Sequence, residues 1–167
     1  MTKNSIKKVD KSADLTMYRD LVLASLDYYL ETGLMKIKTD AYDSDEHFKK
    51  LKREAEVHCK KGRLTLLKRW FRDFTEMQVE ECDLVFNKYL QVKTGYDIDI
   101  FRSYHQRVDR VVEKGRITTD NQFYDITIMV DQLCQIEPVD HGRIELLNRL
   151  LSAYEQRKSG LKGKAAS

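Results

Sequence analysis

Apolar residues in this chain recur every three or four positions with polar residues between them, the pattern of helices that bury one face. Glycine, proline and acidic clusters separate six such stretches, placed as helix start and stop signals. The first predicted helix runs from about Ser12 to Thr32, with Leu15, Tyr18, Val22, Leu26 and Tyr29 on one stripe, and stops at Gly33. The second follows Asp40, Asp43 and Asp45, turns Phe48, Leu51, Ala55 and Cys59 inward, and stops at Gly62. The third reads as one long helix from about Leu64 to Lys93 that aligns Leu67, Trp70, Phe71, Phe74, Met77, Cys82, Val85, Phe86 and Tyr89. Such a helix would span ~45 Å. The fourth opens at Asp97 or Asp99, closes at Gly115, and uses Phe101, Tyr104, Val108, Val111 and Val112. A capping box, Thr119-Asp120-Asn121-Gln122, starts the fifth, whose inner residues are Phe123, Ile126, Met129, Val130 and Leu133. Beyond Pro138, Asp140 caps the sixth, with Ile144, Leu147, Leu150, Leu151 and Tyr154 on its apolar face. The expected fold is all-α: about six helices packed as antiparallel hairpins, in a bundle or a short helical-repeat stack. The expected organisation is a flexible segment over 1–11, a single helical domain over 12–157 and a flexible tail over 158–167.

Within this pattern part of the chain repeats. Tyr42-Asp43-Ser44-Asp45 returns as Tyr96-Asp97-Ile98-Asp99, Lys61-Gly62-Arg63-Leu64-Thr65 as Lys114-Gly115-Arg116-Ile117-Thr118, and Trp70-Phe71 as Phe123-Tyr124. Phe48 answers to Phe101, and the offset is 53 or 54 throughout. Helix-end chemistry explains the Lys-Gly and the acids, because a cation suits the carbonyl end and acids suit the amide end. It does not require the following Arg-Leu/Ile-Thr or the aromatic pair. The echo therefore reads as an internal duplication of a helix-Gly-helix unit of ~53 residues.

Composition narrows the class. The chain has 167 residues, 41% hydrophobic and 34% charged, with one proline and seven glycines. That suffices for one buried core and excludes collagen-like, proline-rich and wholly disordered classes. No stretch approaches the ~18 consecutive apolar residues of a membrane span, and no apolar run follows the basic N-terminus, so no membrane partner is expected. Cys59, Cys82 and Cys134 lack metal-ligand or CxxC spacing, which points to reduced thiols and a cytoplasmic location.

The chemical motifs are weak. There is no Gly-x-Ser-x-Gly, no glycine-rich phosphate loop and no Glu-x-x-His pair, so no catalytic residue, metal site or cofactor is assigned. His47, Glu54 and His58 share one face of the second helix, but the two histidines would stand ~16 Å apart, too far for one ion. Asp43, Asp45 and Glu46 lack the sixth-position glycine and twelfth-position glutamate of a calcium loop. Arg53 and His58 fit an Arg-x4-His spacing found in some metal-independent helical ribonucleases, with Arg53 then steadying phosphate and His58 moving a proton. About one such match is expected by chance from this composition, so catalysis is the remote alternative.

Charge distribution says more than net charge, which is only +3. Residues 49–72 hold ten basic side chains against Glu54 and Glu56, a local +8, which leaves −5 for the rest. The candidate binding surface is Lys60, Lys61, Arg63, Lys68, Arg69 and Arg72, with the last three opposite the apolar stripe of the third helix. The same polar face continues into Glu76, Glu80 and Asp83, a candidate acidic partner face. Cations early and anions late in a helix oppose its macrodipole, and Arg ahead of an acid at i,i+4 is the poorer order. A broken local rule of this kind marks a candidate functional surface. The bland alternative is a solvated face whose Arg69-Asp73 and Arg72-Glu76 pairs offset each other. The expected function is a non-catalytic interaction or adaptor protein that binds another protein, or a second copy of itself, through this charged surface. A nucleic-acid-binding protein using 49–72 is the alternative.

Overall fold

A computed structural model describes residues 10–165, with side chains to residue 160, and among these residues the chain is helical and has no strand longer than an isolated bridge. Seven helices follow in order: α1 (Lys11–Thr32), α2 (Ser44–Lys60), α3 (Leu64–Glu80), α4 (Leu84–Thr94), α5 (Arg102–Lys114), α6 (Asp120–Gln135) and α7 (His141–Ala165). Helices pack on helices throughout, as the all-α expectation requires. The expected flexible segment falls largely on residues 1–9, outside the described residues. The chain divides into two compact units, residues 10–78 with 83–99 and residues 79–82 with 100–165.

In the first unit α1 packs against both α2 and α4. Its buried positions, Leu21, Val22, Ala24, Ser25, Leu26, Tyr28 and Tyr29, spread over an arc of about 200° rather than along one narrow stripe, as befits a helix with more than one neighbour. Ala55 of α2, Leu67 and Phe71 of α3, and Phe86 and Leu90 of α4 complete the core. Each large apolar side chain fully buried there contributes about 1.5–3 kcal/mol. Tyr28 meets Phe86 edge to face with ring centres 4.9 Å apart.

The long third helix of the sequence reading is two helices. The chain leaves α3 at Glu80, Cys82 takes a left-handed backbone at φ 53°, and the Asp83 carboxylate accepts from the Phe86 N–H at 2.9 Å to start α4. The interruption resets the helical phase. Phe86 and Leu90 turn inward, while Val85, expected in the core, is 70% exposed. The start of the following helix also moves, to Arg102, and the residue at its cap position is Phe101 rather than Asp97 or Asp99. The Tyr96 hydroxyl donates to Asp20 at 2.9 Å and Gln91 Nε2 to the Ile98 carbonyl at 2.9 Å, bonds that tie down this non-helical stretch.

In the second unit α6 packs against both α5 and α7. The core gathers Tyr104, Val108, Val111, Ile117, Ile126, Met129, Leu147 and Leu150. Thr119 caps α6 by accepting from the Gln122 N–H at 3.2 Å, and Asp140 caps α7 through the Arg143 N–H at 2.9 Å. The Gln122 side chain reaches one residue further back than a capping box prescribes and accepts from the Thr118 N–H at 2.8 Å. Helix α7 continues past Arg157 to Ala165 rather than ending where the tail was expected. No proline interrupts it, and lone glycines lower helix stability without breaking it.

The sequence echo has a local counterpart in each unit. Leu51 and Ala55 on the inner side of α2 correspond at an offset of 53 to the buried Tyr104 and Val108 of α5. Gly62 and Gly115 end their helices at φ 67° each, a backbone that an L side chain adopts only under strain. The copies then diverge. Leu64 already begins α3, whereas its counterpart Ile117 is non-helical and buried, and α6 waits for the Thr119 cap.

Candidate functional site

The basic segment spans α2, the turn 61–63 and the first half of α3, all in the first unit. The turn is tightly fixed: the Lys61 N–H donates to the Val57 carbonyl at 3.0 Å and the Arg63 N–H to the His58 carbonyl at 3.0 Å. Lys60 and Lys61 are exposed beside it. Arg63 is exposed, with Nη1 3.4 Å from His58 Nδ1, and the His58 ring meets Trp70 edge-on at 5.1 Å.

From the turn, α3 buries Leu67, Phe71, Thr75 and Gln78 and turns Lys68, Arg69 and Arg72 outward, the face the sequence pattern assigns them. Thr65, Leu66, Lys68, Arg69 and Arg72 line a shallow open hollow of about 530 Å³. Its cations are not equivalent. Lys68 Nζ lies 3.4 Å from Asp14 and 5.1 Å from the centre of the Tyr18 ring, and Arg72 Nη2 donates to its neighbour Asp73 at 3.0 Å. Arg69 makes no ion pair among the described residues. The i,i+4 pairs that would have neutralised this face, Arg69-Asp73 and Arg72-Glu76, do not form.

The same division runs through the rest of the segment. Lys49 pairs with Glu46, Lys50 with Glu54, and Lys52 with Asp27 of α1. Arg53, Lys60, Lys61, Arg63 and Arg69 have no carboxylate partner among the described residues. Arg53 is exposed and lies about 140° round the helix from His58, so these two do not converge on one point. His47 is exposed near Tyr42, far along α2 from His58. No three of His, Cys, Asp and Glu gather to hold a metal among the described residues.

On the acidic side, Glu76 and Glu80 are exposed on α3, and Glu76 has no ion pair among the described residues. Asp83 is different. It is partly buried, caps α4 and receives the Tyr28 hydroxyl at 3.4 Å.

A second exposed feature escaped the sequence reading. Residues 37–44 form a small hairpin in which the Thr39 N–H donates to the Tyr42 carbonyl at 2.7 Å and the Ser44 N–H to the Ile37 carbonyl at 2.9 Å. Partial desolvation opposes the charge on Asp43, but the Lys38 ammonium and the N–H groups of Asp45 and Glu46 outweigh it and hold its carboxyl below the ordinary range. Leu34, Met35, Ile37 and Tyr42 are each 42–56% exposed along this stretch. The alternation of apolar residues with Lys36 and Lys38 was the available signal.

No family model matches the chain, and neither a curated protein nor a solved structure shows significant similarity to it. No helix among the described residues is long and apolar enough to cross a membrane.

Proposed function

We propose that this chain is a non-catalytic helical interaction protein that holds an acidic segment of another protein against the α2–α3 turn and the first half of α3. The observation that carries this reading is the set of exposed cations without a carboxylate partner among the described residues, Lys60, Lys61, Arg63 and Arg69, the last of which lines the open hollow on α3. An internally paired cation has already lost much of its attraction for a partner, while an unpaired one steers an anion and meets it at little cost in reorganisation. The aromatic neighbour Trp70 is half-buried against His58, and Phe71 lies in the core, which leaves no stacking platform for bases. An extended run of carboxylates therefore suits the surface better than single-stranded nucleic acid. Cys59 and Cys134 form no disulfide among the described residues, in keeping with a reducing compartment such as the cytoplasm as the place of action.

Fluorescence anisotropy of a labelled polyglutamate peptide, and of mixed-sequence RNA and DNA, tests this at about 50 and 200 mM salt. The peptide is expected to bind at the lower salt. A Lys60→Glu/Lys61→Glu/Arg63→Glu/Arg69→Glu variant is expected to weaken it by about tenfold or more with an unchanged helical spectrum. Tighter binding of nucleic acid with a steep salt slope would replace this reading with a phosphate-binding one. Binding of neither probe at low salt would remove the surface from consideration.

A further inference from the structure

The charges of residues 69–76, Arg-Trp-Phe-Arg-Asp-Phe-Thr-Glu, are antisymmetric about the point between Arg72 and Asp73. Each cation on one side has an anion at the same distance on the other. At the pitch of an α-helix, Arg69, Arg72, Asp73 and Glu76 fall within an arc of about 100°, so the pattern lies along a single stripe. All four are exposed, and the stripe is opposite the buried Leu67, Phe71, Thr75 and Gln78.

We propose that a second copy of this chain docks antiparallel on this stripe of α3. A two-fold axis through the midpoint sets Arg69 against Glu76 of the second copy and Arg72 against its Asp73, and symmetry repeats both pairs. An isologous contact needs a surface complementary to itself, and charge antisymmetry on one helix face meets that requirement.

Two observations favour a second copy over an unrelated occupant. Arg69 and Glu76, the outer members of the pattern, both lack an ion pair among the described residues, although each has an opposite charge four residues away on its own helix. The order of charge is also the one that opposes the macrodipole within a single helix. In an antiparallel pair the cations near one amino end lie beside the carbonyl half of the other helix, and the anions beside its amide half. The arrangement that is locally unfavourable in one copy becomes favourable in two. The hollow lined by Thr65, Leu66, Lys68, Arg69 and Arg72 lies where Glu76 of the second copy would enter.

Because the contact covers only about two helical turns, it buries far less than the ~1,600 Å² of a standard interface, and the pair is weak, reversible and sensitive to salt. This inference shares α3 with the function proposed above but does not depend on it.

Sedimentation velocity of the full chain over rising concentration, at about 50 and 500 mM salt, reads the association directly. The native chain is expected to show a dimer that grows with concentration at low salt and shrinks at high salt. Two variants make the stripe uniform in sign: R69E/R72E is all acidic and D73R/E76R all basic. Each is expected to stay monomeric alone and to form a mixed dimer when the two are combined. The fourfold reversal R69E/R72E/D73R/E76R, which restores antisymmetry, is expected to dimerise again. Circular dichroism accompanies every sample, and R69Q/E76Q replaces a charge-reversal variant that loses helicity, with a dimerisation constant at least about tenfold weaker than native. A native chain monomeric at low salt, uniform variants that still dimerise alone, or uniform variants that fail to associate on mixing would each overturn the proposal. The basic-stripe variant D73R/E76R separates the two readings, since it loses self-association but keeps its affinity for polyglutamate.

Discussion

The Tyr29 hydroxyl is shared between the Phe74 carbonyl and, at 3.0 Å, Gln78 Oε1, so one proton donor ties α1 to α3 inside the first unit. Gln78 is fully buried and its Nε2 has no hydrogen-bond partner among the described residues. Removing the hydroxyl leaves the buried Gln78 Oε1 short of a donor, and Tyr29→Phe is expected to cost about 1–3 kcal/mol in urea unfolding. Gln78→Met removes an acceptor and an orphaned donor together. The double variant is therefore expected to lose less than the sum of the two single changes, which a double-mutant cycle measures. Burial also pushes the Tyr29 hydroxyl up from 10.0 to about 12, with Gln78 acting the other way. The folded chain then holds a proton that the unfolded chain has released, so this contribution is fully present below pH 10 and lost as the pH rises through 12. Tyr29→Phe is expected to flatten the fall of stability in that window, read from urea midpoints at successive pH values. Tyr104, buried in the second unit, is raised further for the same reason, so some alkaline slope is expected to remain.

The join between α3 and α4 depends on two residues that the apolar period conceals. Cys82 sits at φ 53°, where a side chain costs about 1–2 kcal/mol, and Asp83 supplies the cap that restarts the helix. Asp83→Ala is expected to destabilise by about 1 kcal/mol through loss of the cap. Thermal and urea melts check this. The same pair explains why the sequence misled here. Glycine at 33, 62 and 115 announces a helix end openly, and those ends fall where the residues predict. A cysteine carries no such signal, and apolar residues continue at helical spacing straight through the break, so periodicity alone joined the two helices. The α5 start was missed for another reason. Asp97 and Asp99 resemble caps, but the stretch that holds them is non-helical and is tied by bonds from Tyr96 to α1 and from Gln91 to Ile98, both invisible to a local pattern.

The charge map of the chain follows similar logic. The basic run at 49–72 is evident in the sequence, but the cations left unpaired depend on carboxylates brought in by folding. Asp14 and Asp27 of α1 answer Lys68 and Lys52, contacts between residues 54 and 25 positions apart that no local spacing discloses. Folding thus divides one basic run into an internally paired set and a set turned to solvent, and the two should respond differently to neutralisation. Lys50→Gln/Lys52→Gln/Lys68→Gln removes cations that already have partners, and is expected to lower unfolding stability by about 1 kcal/mol in total while changing polyglutamate affinity little. Lys60→Gln/Lys61→Gln/Arg63→Gln/Arg69→Gln removes cations that have no carboxylate partner among the described residues, and is expected to leave the melt unchanged while weakening the peptide by about tenfold or more. Glutamine keeps helix propensity close to that of the residues replaced, so differences between the variants report charge rather than local helix stability. Equal losses of affinity per charge removed would mean that the peptide responds only to net charge, and that the pairing within the fold does not select the binding surface.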